Sequence, residues 1–188
     1  MYDVLAIGEL NPDLILSGFD VSGPVIGTEQ VFGAQTLTLG SSTAISCVLM
    51  QRLGLRTAMA ALVGDDEYGQ FCRDALTVEG VDIGGVKTHP DLTTGITVSL
   101  SYPSDRMLLT RYGTMTTFSV ADISDDLIAD ARHLHIGSFY IQSGLWPDLP
   151  HLFASARARG RPYRWIWGGI PRERGTPACC HGSCHIYR

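Results

Sequence analysis

Asp3-Val4-Leu5-Ala6-Ile7-Gly8-Glu9-Leu10-Asn11-Pro12-Asp13 decides the fold. Its first half is a short apolar run closed by Gly8, the pattern of a strand buried on both faces. Its second half lies just past the carboxyl end of that strand, where open α/β sheets bind their ligands. Asn11 and Asp13 offer an amide and a carboxylate, a pair suited to the adjacent hydroxyls of a sugar. The competing reading is that Asn11-Pro12-Asp13 is simply a turn, and the chemistry alone favours it. A dinucleotide loop is weaker still, because no Gly-x-x-Gly follows Gly8.

Working outward, Leu39-Gly40-Ser41-Ser42-Thr43-Ala44 is a loop of small residues opening a helix. Small side chains would let a ligand reach the backbone amides of the helix N-terminus, while the plain alternative is a serine cap. The helix runs over 42–53, with Ala44, Ile45, Val48, Leu49 and Leu53 on one face and Gly54 as its stop. Thr57 to Val63 reads as a second buried strand. Asp65 or Asp66 caps a helix through Val78; these adjacent acids could also hold a metal, but capping and the helix dipole account for them. Thr94–Tyr102 and Met107–Tyr112 flank Pro103-Ser104-Asp105 as a hairpin. A short helix capped by Ser124, a strand over 132–138 and a helix over 149–159 complete the pass. Strand–helix–strand alternation predicts a doubly wound, mainly parallel α/β sheet, with the hairpin outside it as a small β lid. His133 and His135 alternate along a strand, and their reading is structural.

The 188 residues fit one domain. A net charge of −5 gives no general attraction for nucleic acid or an anionic membrane. No apolar run approaches the roughly 18 residues of a membrane span, and Met1-Tyr2-Asp3-Val4 lacks the basic-then-apolar opening of a secretory signal. Cys47 and Cys72 are the only cysteines before residue 160, which implies reduced thiols and a cytoplasmic location. Composition changes at residue 160, dividing the chain into 1–160 and 161–188. The second stretch holds five arginines against Glu173 as its one acid, together with two of the three tryptophans and three of the five cysteines. It shows no helical or strand period and reads as a frame-shifted, aberrant tail of a longer gene. Cys179, Cys180, His181, Cys184 and His185 superficially resemble a zinc cluster, but they lack the two separated pairs of a zinc motif.

Taken in order, the first strand, Asn11-x-Asp13, the Gly40 loop, Arg52-Leu53-Gly54 and Val63-Gly64-Asp65-Asp66-x-x-Gly69 resemble the N-terminal half of the ribokinase-like (PfkB) carbohydrate kinases. The likeness runs from Asp3 to Gly160. It implies ATP- and Mg²⁺-dependent phosphorylation of a small-molecule sugar or nucleoside. It also implies a sugar site at Asn11, Asp13, Gly40, Ser41 and Ser42, and pairing of two copies through the lid. Two departures stand out: the signature loop has Gly40-Ser41 for a Gly-Gly pair, and Ile45 where an Asn is usual. The family's C-terminal Asp-x-x-Gly-Ala-Gly-Asp signature, which supplies the base and the phosphate anion hole, does not occur. The expectation is a chain that is inactive alone, with no catalytic residue of its own. The alternative is a non-catalytic sugar-binding or dimerisation module.

Overall fold

A computed structural model describes residues 1–158 and 163–165. β1 (Val4–Ile7), β4 (Thr57–Gly64), β5 (Asp82–His89), β8 (Leu134–Ile136) and β9 (Tyr163–Trp165) form a five-stranded sheet. Its order is β5-β4-β1-β8-β9, and every pairing is parallel. β4 is buried along its whole length, as parallel strands covered on both faces must be. Alternate residues supply two cores. Leu5, Ile7, Ala60 and Leu62 pack under α3 (Asp125–Ala129) and α4 (Leu149–Ala158). Ala6, Met59, Ala61 and Val63 pack under α1 (Ser42–Arg52) and α2 (Glu67–Val78). The doubly wound α/β architecture is therefore present. Within this sheet β4 and β5 lie on one side of β1, and β8 and β9 on the other, which puts the topological switch between β1 and β8.

A second sheet of four strands has the order β3-β2-β6-β7. β6 (Ile96–Ser101) and β7 (Arg106–Arg111) are the expected hairpin, closed where the Tyr102 amide donates to the Asp105 carbonyl at 2.9 Å. They do not stand alone. β2 (Pro12–Ser17) pairs parallel with β6 and antiparallel with β3 (Ala34–Leu39). Asn11-Pro12-Asp13 is thus not a turn: it leads straight into β2. Proline is tolerated there because it is the first residue of the strand. Asp13 sits between Thr38 and Thr97 in register.

Three readings of elements need correction. The buried face of α1 is Thr43, Ala44, Cys47 and Val48, whereas Ile45, Leu49 and Leu53 are 41%, 53% and 82% exposed. The apolar stripe was rotated because both sides of this helix carry apolar residues, so periodicity could not choose between them. β3 and β5 were missed; β5 is half-polar and rich in glycine, and neither strand has a run of apolar residues. β9 falls in a stretch where no period was found, and three residues are too few to show one.

Candidate functional site

The site begins at a residue to which sequence reading gave no role. Glu9 follows β1 and is 3% exposed. A carboxylate that deep is tolerated only when donors surround it. Oε1 accepts from the Ser42 amide at 3.0 Å, the Ser42 hydroxyl at 3.1 Å, the Thr43 amide at 3.4 Å and the Ser138 hydroxyl at 2.6 Å. Oε2 accepts from the Thr43 hydroxyl at 2.6 Å and from Gln142 Nε2 at 3.4 Å. The position is electrostatically apt, because the first amides of α1 carry the positive end of its dipole. Ser138, just past β8, holds a left-handed backbone at φ +47°. Glu9, Ser42 and Ser138 thus meet at the switch between β1 and β8.

Asn11 is buried, and its carbonyl accepts from the Gly40 and Ser41 amides at 3.0 and 3.3 Å. Its Nδ2 donates to the Pro12 carbonyl at 3.2 Å and reaches Asp13 Oδ1 at 3.5 Å. Gly40 is required by this approach, since a Cβ there would overlap the Asp13 carboxylate. Burial pushes the Asp13 carboxyl above its ordinary value, and the charge of Arg106 opposes the rise. Ser41 is buried as the α1 cap: its hydroxyl accepts from the Ala44 amide at 2.9 Å and donates to the Glu9 carbonyl. Ser42 is exposed. The structure therefore brings all five sequence-derived residues to one loop pair, with Asn11, Asp13 and Gly40 in mutual contact. It corrects one expectation. The amides of Ser42 and Thr43 are not open to a ligand, because Glu9 already occupies them.

Asp66 behaves as the capping alternative described. Its Oδ1 accepts from the Gly69 amide at 2.8 Å, and its Oδ2 from the Thr94 amide at 2.7 Å. Burial raises its pKa, but the bonds from Thr94 and Gly69 and the charge of Arg111 outweigh that and hold it below the usual carboxylate value. Thr94 precedes β6, so the cap of α2 also anchors the lid sheet. His135 is a buried member of β8. The Cys179–His185 cluster and the tail over 166–188 lie outside the described residues.

Glu9, Ser138 and Gln142 were missed. A glutamate directly after a buried strand was the available signal for Glu9; nothing local marks Ser138 or Gln142, which arrive through the pairing of β8 with β1. Chemically, the arrangement suits a hydroxyl-rich ligand: Asp13 accepts, Asn11 offers an amide, and Ser42 a hydroxyl. The N-termini of α1 and α2 at this end of the sheet do not fit the phosphates of ATP, since each carries an internal carboxylate, Glu9 and Asp66.

The model of the pfkB family carbohydrate kinases matches residues 1–165. The chain belongs to that family. Among curated relatives, 2-dehydro-3-deoxygluconokinase of Thermoproteus tenax is 31% identical over 102 residues, which is 52% of this chain and 31% of the relative. The crystal structure of a PfkB protein from Polaromonas sp. JS666 superposes with a TM-score of 0.76 at 23% identity, covering 91% of this chain and 57% of that one. A protein of E. coli named as a ribokinase II, solved in complex with ATP and Mg²⁺, superposes at 0.70 with 20% identity, covering 88% and 52%. The chain therefore spans about a third of its curated relative's length and little more than half of these solved chains. These superpositions carry the ribokinase-like fold. Among the described residues, no helix is long and apolar enough to cross a membrane.

Proposed function

We propose that this chain is the acceptor-binding half of an ATP- and Mg²⁺-dependent kinase acting on a sugar or nucleoside, and that it holds the acceptor without phosphorylating it. The observation that carries this reading is the contact of Asn11, Asp13 and Gly40 beside the β1–β8 switch, next to the lid sheet. Asp13 and Asn11 hold ligand hydroxyls, Gly40 makes room for the Asp13 carboxylate, and Ser41 and Ser42 complete the wall. Phosphoryl transfer rests on positioning and on stabilising charge with a base and an anion hole. With the N-termini of α1 and α2 taken by Glu9 and Asp66, ATP and Mg²⁺ would act through other groups. The buried free thiols of Cys47 and Cys72 suit a cytoplasmic protein.

A second reading, a non-catalytic sugar-binding or dimerisation module, is favoured by one face of the lid. Register places Leu14, Leu37, Val98, Leu100, Met107 and Leu109 together there, with Leu37, Met107 and Leu109 exposed. A second copy of the chain is its proposed partner.

Titration calorimetry of the purified chain with D-ribose, D-fructose, 2-dehydro-3-deoxygluconate and adenosine tests the reading. Binding of at least one of them, unaffected by ATP and Mg²⁺, is expected. Sugar-dependent formation of ADP would refute the inactive half, and silence toward all three sugars and toward adenosine would refute the site.

A further inference from the structure

We propose that Glu9 is a positioning residue of the sugar site, locking its two walls together and fixing the direction in which Ser42 offers its hydroxyl. The proposal rests on the sugar-site reading above.

Helix capping explains only part of Glu9, which takes the Ser42 and Thr43 amides. The cap of α1 is already made by Ser41, whose hydroxyl takes the Ala44 amide at 2.9 Å. Glu9 is instead shared between two elements distant in sequence. Four of its donors come from Ser42 and Thr43 in the first turn of α1, and two come from Ser138 and Gln142 beyond β8. Gln142 is fully buried and also donates to the Gly137 carbonyl, so the second wall is held from both sides.

Proton accounting then sets the polarity of the exposed serine. A carboxylate only accepts. Ser138 lies 2.6 Å from Glu9 Oε1 and 2.6 Å from the Ser42 hydroxyl, so its one proton goes to Glu9 and its oxygen is left to accept. The Ser42 proton has two acceptors behind it, Ser138 Oγ at 2.6 Å and Glu9 Oε1 at 3.1 Å. Either choice points that proton inward and leaves the lone pairs of Ser42 facing the ligand. Ser42 therefore accepts from a ligand hydroxyl, and Glu9 makes it do so without touching the ligand.

Glu9→Gln keeps the side chain's shape but introduces a donor, which frees the serine relay to reverse. In the full 188-residue chain, with D-ribose, D-fructose, 2-dehydro-3-deoxygluconate and adenosine as calorimetric probes, Glu9→Gln should weaken binding by about threefold to tenfold, as loss of one oriented neutral hydrogen bond to the ligand does. Ser42→Ala should weaken binding in the wild-type background but add little on top of Glu9→Gln, the non-additivity of coupled residues. A purely structural Glu9 would move the unfolding midpoint and leave this coupling at zero. Unchanged affinity in Glu9→Gln, or simple addition of the two effects, would overturn the proposal. Should Glu9→Gln lose cooperative unfolding, Glu9→Asp keeps the charge but withdraws the carboxylate by one methylene from Ser42 and Ser138. A several-fold loss of affinity in that variant supports the proposal, and wild-type affinity overturns it. Failure of the unsubstituted chain to bind any probe refutes the sugar-site reading itself, and this proposal with it.

Discussion

Asp13, which we propose holds a sugar hydroxyl, works against the stability of its own fold. It stands at the start of β2, beside Gly40 and within reach of Asn11, and burial raises its pKa. An acid whose folded pKa lies above the unfolded one lowers stability once the pH exceeds the ordinary aspartate value of about 4, because the unfolded chain ionises more readily. Asp13→Asn should therefore raise the thermal midpoint at neutral pH and abolish sugar binding, measured by calorimetry on one sample. The site residues were only partly legible. Asn11, Asp13 and Gly40 lie in short motifs after strand or loop signals, whereas Glu9 was visible as a residue without a visible task. Its donors come from positions 42, 43, 138 and 142, and no local pattern relates those to position 9.

At the scale of elements, α1 and α2 differ in what their sequences disclose. α2 presents one apolar side, with Cys72 and Leu76 fully buried, and begins at the cap residue Asp66. α1 is apolar on two sides, so its burial had to be read from packing. Leu76→Ala should cost about 2–5 kcal/mol in denaturant unfolding, the range for deleting a buried leucine side chain. Leu49→Gln, on the exposed side of α1, should stay within about 0.5 kcal/mol of wild type. The Asp66 cap should leave a mark on acid stability. Its folded pKa lies below the ordinary value, so its stabilisation is complete above the unfolded pKa of about 4 and disappears as the pH falls through the folded one. The stability difference between wild type and Asp66→Asn should accordingly shrink as unfolding is measured from about pH 6 to about pH 3.

Across the whole molecule, two sheets divide the work. The parallel sheet builds the cores and the switch point; the lid sheet sets a polar face bearing Asp13, Thr38 and Thr97 against an apolar face bearing Leu14, Val98 and Leu109. An apolar sheet face in water favours association. Sedimentation velocity should show a dimer that dissociates on dilution, and Leu109→Lys should leave a monomer that still binds sugar. A monomer at all concentrations would refute pairing through the lid. By itself the sequence determined the alternating α/β order, the buried strands at 3–8 and 57–63, a cap at Ser41 or Ser42 and another at Asp65 or Asp66, and the ordered motifs of the family, because each follows from neighbours a few residues apart. Only the tertiary structure decided that the 12–17 segment is a strand of the lid, which side of α1 is buried, and that Glu9 joins Ser42 to Ser138. All three depend on contacts between different elements, separated in the case of Glu9 by more than thirty residues, where local propensity carries no information.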